Sequence, residues 1–341
     1  MTVDLGLSPD QESIAELFDG FFANEAPPAV ARAAEPSGFD RDLWDKIVEL
    51  GAPGMGSAVE VGGGGASLAD LVVVAECFGR SIAPIPLLDH LAALAVLDDA
   101  DLVSGEAIAA VALHPADATG TWSLVPAGAV ADAVIGVDGD EMVVVRSTPP
   151  MDGPRNHGAM PLADRSARDG ARTVLGPASS FDAVLDRWQL LSAAALTGIA
   201  DAALQLAITY VKEREQFGVP IGSFQSVQHG LADLPIAVDG SRLLAHKAAW
   251  ALSADEPGVI DWGNNDITDG PTLATMAFLF AVDTAVMATD RSLHYHGGYG
   301  FAEEYDIQMY YRRARGWSYI YGDPSTVSLA LADRLFGTVG G

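Results

Sequence analysis

The 341 residues carry 46 acidic and 19 basic side chains, a formal net charge of −27 and a pI near 4.3, which argues against nucleic acid and anionic membrane as partners. Hydrophobic residues make up 49% and charged residues 19%, so the chain can bury a large core over two or three structural units and is not disordered. A single cysteine, Cys77, sits in the apolar run LVVVAECF; it excludes an internal disulfide, fits a reducing cytoplasm and reads as an inert buried thiol.

Residues 1–7 lack the basic start of a signal peptide. Ser8-Pro9-Asp10-Gln11 has the form of a capping box with proline in the first helical turn, and Ile14, Leu17, Phe18, Phe21 and Phe22 follow at helical spacing. A second helix is predicted over 40–50, with Leu43, Ile47 and Leu50 on one face and Gly51 as its stop. The glycine run 62–65 lacks the Lys-Ser/Thr ending and preceding strand of a phosphate loop, so it reads as a flexible connection. Helices are predicted from Ser67 to Phe78 and from Pro86 to Leu97. Between 103 and 187 the period changes. Short apolar runs at 107–113, 122–125, 131–137, 141–146, 174–175 and 181–185 read as strands, separated by Gly and Pro turns. Residues 151–172 are polar with weak strand signal.

From Trp188 onward the pattern is helical again. Long amphipathic stretches are predicted over 190–214, over 224–252 with a kink at Pro235, and over 272–295, with shorter ones over 305–319 and 324–336. The apolar stretch 273–288 contains Asp283 and reads as too short to cross a bilayer. The expected class is multidomain α+β: a helical domain over 1–102, a reduced middle β-barrel or sheet domain over 103–187 and a helical bundle over 188–341.

Two polar, glycine-bearing segments interrupt the last helices: 210–229 (YVKEREQFGVPIGSFQSVQH) and 294–305 (HYHGGYGFAEEY). In the first, Gly218, Pro220 and Gly222 form a tight loop before a helix opening at Ser223, where the dipole favours a phosphate. Arg214 adds a forked, permanent cation suited to a pyrophosphate, and Phe217 a flat face for a ring. In the second, Gly297 and Gly298 allow close backbone approach. A plain helix–helix turn, with Arg214 in an ion pair to Glu213 or Glu215, is the other reading of the same residues.

Arg214-Glu215-Gln216-Phe217-Gly218, Pro220-Ile221-Gly222 and Ser223-Phe224-Gln225, with His296-Gly297-Gly298-Tyr299-Gly300 and Glu304-Tyr305, resemble the signature of the acyl-CoA dehydrogenase family over nearly the whole chain. The resemblance implies FAD as cofactor and α,β-desaturation of an acyl-CoA thioester as the reaction. It implies that Arg214, Phe217, Ile221, Gln225, Gly297 and Gly298 grip the FAD across a subunit interface, with His294 at a position often Gln. The sequence also departs from the family. The substrate- and flavin-facing segment is reduced to Leu113-His114-Pro115-Ala116-Asp117-Ala118, and the flavin-ring strand reads Leu124-Val125-Pro126. The usual catalytic glutamate position holds Tyr321. Asp323 reads as a helix cap, and Asp283, on a helical face with Met276, Phe280 and Met287, is either a general base or a structural carboxylate. Such a chain resembles the short, degenerate subunit of bacterial heterotetrameric (α2β2) dehydrogenases acting on steroid side chains. The implied partner is a full-length acyl-CoA dehydrogenase subunit. The alternatives are a self-associating enzyme using Asp283 and a flavin-free scaffold.

Overall fold

The computed structural model describes residues 5–254, 258–263 and 266–337. The helices are α1 (Pro9–Glu25), α2 (Pro28–Ala34), α3 (Arg41–Glu49), α4 (Leu68–Ser81), α5 (Leu87–Ala93), α6 (Ala100–Val103), α7 (Asp182–Glu213), α8 (Gln225–Ala232), α9 (Leu234–Leu252), α10 (Gly270–His296), α11 (Ile307–Tyr319) and α12 (Pro324–Phe336). The strands that carry the middle segment are β1 (Ala109–Val111), β2 (Thr121–Val125), β3 (Ala133–Asp138), β4 (Glu141–Arg146), β5 (Ala163–Ser166) and β6 (Ala171–Pro177). The chain falls into two compact units. The helical unit draws on residues 1–28, 72–83 and 192–341, and the sheet-bearing unit on 29–71 and 84–191.

In the sheet-bearing unit four strands pair in the order β1-β3-β4-β6. β1 runs parallel to β3, and the other pairs are antiparallel. β3 and β4 are buried along most of their length, which explains their continuous apolar sequence. β2 and β5 form a separate antiparallel pair, and β5 lies where the sequence signal was weak. Residues 181–185, expected as a strand, instead form the entry to α7: Phe181, Val184 and Trp188 are buried at helical spacing. The glycine run is not a loose connection. The N–H groups of Gly63, Gly64, Gly65 and Ala66 donate to the carbonyls of Ala58, Gly54, Ser57 and Met55, so none is left to cradle a phosphate.

Two buried polar groups tie this unit together. His90 Nδ1 accepts the Ala109 N–H (3.0 Å), so Nε2 carries the proton and donates to the Leu102 carbonyl (3.0 Å); burial pushes its pKa down to about 4. The Asp89 carboxylate accepts from Trp188 Nε1 at 2.9 Å, and burial pushes its pKa up to about 6. An acid raised in the folded state binds more protons there than when unfolded. Stability therefore falls as pH rises from the unfolded value near 3.8 through about 6. Asp89→Asn keeps an acceptor for Trp188. It is expected to stabilise the chain by about 2 kcal/mol at pH 7.5, with the gain shrinking as pH falls below 6, read by denaturant titration.

The helical unit follows the expected order, with one difference. The stretch 224–252 is two helices: Asp233 interrupts it, and Pro235 lies in the first turn of α9 rather than inside a kinked helix. α4 and α7 cross with their backbones in contact, since a β-carbon on Gly79 would lie 1.9 Å from the Ala195 carbonyl oxygen, and one on Gly198 2.1 Å from that of Glu76. The helical segments Ala178–Glu213 and Gly270–Phe301, which contain α7 and α10, are by length and composition long and apolar enough to cross a membrane, longer than the apolar run 273–288 suggested. Their apolar windows are 72% and 67% buried within the protein, as expected of core helices.

Candidate functional site

At the end of α7 the Arg214 N–H still donates to the Tyr210 carbonyl (2.8 Å), and then the chain reverses in a short hairpin, β7 (Glu215–Gln216) and β8 (Val219–Pro220). Its two connecting residues, Phe217 (φ +55°) and Gly218 (φ +81°), are both left-handed, the pattern of a type I′ turn. The Ile221 N–H closes the base of the hairpin on the Arg214 carbonyl (2.7 Å). Phe217 stands at the tip, 94% exposed, with only an edge-on contact to Phe224 at 6.3 Å. A non-glycine residue in a left-handed conformation that holds an aromatic ring in water is costly on both counts. Ser223 does not cap the following helix: its hydroxyl donates to the Pro220 carbonyl (2.7 Å), and α8 begins after Phe224 with no side-chain cap. Gln225 is exposed in the first turn of α8, with Nε2 3.3 Å from Nε2 of His229, which is also exposed.

The second segment begins where α10 ends. Gly297 adopts φ +61° and ψ −145°, a conformation reserved for glycine, and β-carbons built on Gly297 or Gly298 would meet nothing within 4 Å. His294 is exposed one turn earlier. Behind these glycines lies an aromatic cluster that the sequence reading did not assign. Tyr210 stacks on His296 (centroids 4.1 Å), and Tyr305 packs against Tyr210, His296 and Tyr299 at 6.3, 6.2 and 5.8 Å. Its signal was present: Tyr210 lies one helical turn before Arg214, and Tyr299 follows the glycine pair directly. The Arg214 guanidinium lies over the Tyr299 ring at 5.6 Å, which brings the two segments together. Among the described residues Arg214 makes no ion pair, with Glu213, Glu215 or any other carboxylate. α8 is held against α10 by Arg291, which donates to the Gly230 carbonyl (2.8 Å), and by the Tyr295 hydroxyl, which lies where a β-carbon on Gly230 would be. The arrangement offers an exposed ring, an unpaired guanidinium on an aromatic platform and two open glycine α-carbons. These donors and spaces fit a dinucleotide approaching from outside the chain.

The acid–base candidates lie apart from it. Asp283 is exposed, and among the described residues it has no hydrogen bond or ion pair. The buried stripe of α10 runs through Leu273, Ala277, Phe278, Ala281, Val282 and Ala285. The helical face expected to bury Asp283 is therefore the outward one, and Phe280 on it is itself 43% exposed. Within this chain Asp283 has no dry pocket, which a carboxylate abstracting an α-proton needs. Tyr321 packs edge-on against Phe278 at 6.2 Å. Asp323 caps α12, accepting from the Ser325 N–H (2.9 Å) and hydroxyl (2.7 Å), and these bonds hold its carboxyl below the ordinary range.

The middle segment spends its polar groups internally. Asp117 Oδ1 accepts from the Thr119 N–H and hydroxyl and from the Thr121 N–H, which makes residues 117–121 a turn. Leu124 sits at a register shift in β2 with φ +49°, its N–H donating to Asp164 (2.7 Å), and Pro126 offers no donor after it. The buried Arg165 donates to the Gly128 and Ala131 carbonyls, both at 2.7 Å, and to Ser147.

The family model for the C-terminal domain of acyl-CoA dehydrogenase matches residues 181–335, and that for its N-terminal domain matches residues 8–97. A relative named acyl-CoA dehydrogenase IpdE2, from Mycolicibacterium smegmatis, is 32% identical over 93% of this chain and 96% of its own. The chain belongs to the acyl-CoA dehydrogenase family, oxidoreductases that act on acyl-CoA thioesters. Among solved structures, the ChsE4-ChsE5 complex from Mycobacterium tuberculosis aligns with a TM-score of 0.86 at 24% identity, covering 99% of this chain and 100% of that one, a likeness of fold. A variant of the Tcur3481-Tcur3483 steroid ACAD aligns with a TM-score of 0.82 at 27% identity, covering 97% and 98%.

Proposed function

We propose that this chain is the supporting subunit of a heteromeric FAD-dependent acyl-CoA dehydrogenase, completing a flavin site whose chemistry is done mostly by a full-length partner. The observation that carries the reading is Phe217, an aromatic ring held at a hairpin tip with almost nothing of its own chain against it. Arg214, Phe217, Ile221, Gln225, His294, Gly297 and Gly298 are the residues proposed to hold the ADP half and ring of the FAD that the partner binds. When bound, FAD supplies the oxidant that takes the β-hydrogen as hydride while a carboxylate of the partner takes the α-proton. In this chain, Arg214 orients the pyrophosphate through its fork, and the two glycines let the backbone approach it. One solved neighbour is named a steroid ACAD and another a complex, which supports a bulky polycyclic acyl group as substrate and a heterotetramer as assembly. The acidity of the chain and its single cysteine favour a cytoplasmic location.

Asp283 is assigned no role in the chemistry. Asp283→Asn in the assembled complex is expected to leave turnover unchanged and stability within about 0.5 kcal/mol, as for an exposed substitution. A loss of turnover of a hundredfold or more would return the base to this chain and favour a self-sufficient enzyme.

A further inference from the structure

The sheet-bearing unit holds a partly open cavity of about 420 Å³ lined from the segments 35–41, 129–130 and 151–161, far in sequence from the two glycine segments. Its size falls in the roughly 300–1,000 Å³ range of small-molecule sites. The wall formed by 151–160 is built rather than slack. The Asn156 side-chain amide donates to the Pro154 (3.1 Å) and Met160 (2.8 Å) carbonyls, and its oxygen accepts the Met160 N–H (3.1 Å). Gly38 (φ +73°) crosses so closely that a β-carbon there would lie 2.7 Å from the Met160 carbonyl carbon. Met151 (φ +57°) and Ala159 (φ +43°) are both left-handed. Strain of about 1–3 kcal/mol at each persists only where the surroundings impose it, a property common at ligand clamps. One consequence is that Met151 is held 62% exposed at the cavity.

The charge arrangement narrows the occupant. Carboxylates outnumber basic residues 46 to 19, and Arg80, Arg146, Arg172 and Arg242 each pair with one. Arg155, in the cavity wall, has no hydrogen bond or ion pair among the described residues. Arg41 lies over the Phe39 ring at 5.6 Å and reaches Asp45 at 3.7 Å. Two acids also line the cavity, Glu35 and Asp152, and an Asp152 oxygen accepts the Gly153 N–H (2.9 Å). Two guanidiniums and two carboxylates leave the lining without net charge, so it has no excess of cations to neutralise a phosphate dianion; Arg155, with no acid of its own, is the group able to pair with a single carboxylate. The apolar surface comes from Phe39, Met151, Met160 and the neighbouring prolines.

We infer that this cavity binds an amphipathic monoanion, a small apolar carboxylic acid whose carboxylate pairs with Arg155 and whose hydrocarbon body lies on Phe39, Met151 and Met160. The inference is independent of the flavin reading, and its test needs neither flavin nor partner. The full chain is titrated calorimetrically with decanoate, decanol and decyltrimethylammonium below their critical micelle concentrations, with thermal melts to verify folding. Decanoate is expected to bind at least tenfold more tightly than decanol, and the cation not to bind. Arg155→Gln is expected to remove the advantage of decanoate while decanol binding persists; Met151→Asp is expected to abolish both. Equal affinities for decanoate and decanol in the unaltered chain, no binding of decanoate, or an unchanged decanoate affinity in the Arg155→Gln chain would each overturn the inference.

Discussion

Replacing Arg214 by alanine is expected to weaken FAD retention by the assembled complex about 10- to 100-fold, the loss of charge-assisted hydrogen bonds worth about 1.5–3 kcal/mol. The guanidinium makes no ion pair among the described residues and rests on the Tyr299 ring at 5.6 Å, so its forked donors are available to a ligand without breaking an existing bond. The folded chain should accordingly tolerate the change, with a melting temperature close to that of the unaltered protein. Arg214→Lys keeps the charge but loses the fork, and its FAD affinity should fall between the two. Flavin fluorescence during dialysis measures this. An Arg214→Ala complex that keeps its flavin with unchanged affinity would remove the first segment from the site.

The largest expected stability loss lies elsewhere in the helical unit, at Glu76. Its carboxylate accepts from Arg80 Nη2 (2.9 Å) and from Arg242 Nη2 (2.8 Å) and Nε (3.0 Å), with its side chain 9% exposed. Arg80 also reaches Asp19 and Asp201, and Arg242 reaches Asp239 at 2.7 Å, so one buried acid joins α1, α4, α7 and α9. Glu76→Gln leaves two guanidiniums facing each other without the charge between them. Breaking a fully buried pair costs about 3–5 kcal/mol; the arginines here are about one-third exposed, so a loss of about 2–4 kcal/mol is expected. Denaturant titration measures it. Pairing the change with Arg242→Met should recover part of the loss, since the second cation is then absent; strict additivity would show that the network is not one unit.

The helical ends of the chain were legible because their signals are local. The Ser8 capping box forms as the sequence predicts, with both reciprocal bonds present, and Asp323 caps α12. The strand expected over 181–185 failed because five apolar-rich residues cannot distinguish period 2 from period 3.6; the continuation through Trp188 decides it. Asp239 and Arg242 pair within one helical turn, whereas Glu76, which binds the same arginine, lies 166 residues away from it, beyond any local signal. In the site, the turn at Gly218 and the break at Gly297 follow from glycine's freedom at positive φ, whereas the left-handed Phe217 has no such signal in its residue type. The aromatic platform under Arg214 was missed because Tyr210, His296, Tyr299 and Tyr305 meet only once the ends of α7 and α10 are brought together. The exposure of Asp283 was not legible for a related reason. Phe280 and Met287 made its helical face look like a core face, whereas α10 buries its alanine-rich side and turns that face outward.

The central claim is that these two segments are half of a flavin site. It is tested most directly by expressing the chain alone and together with a full-length acyl-CoA dehydrogenase partner, then measuring bound flavin and assembly mass. The account predicts a colourless single chain and a heterotetramer holding two FAD molecules, one for each pair of unlike subunits. A yellow single-chain product, or four FAD molecules per tetramer, would contradict it.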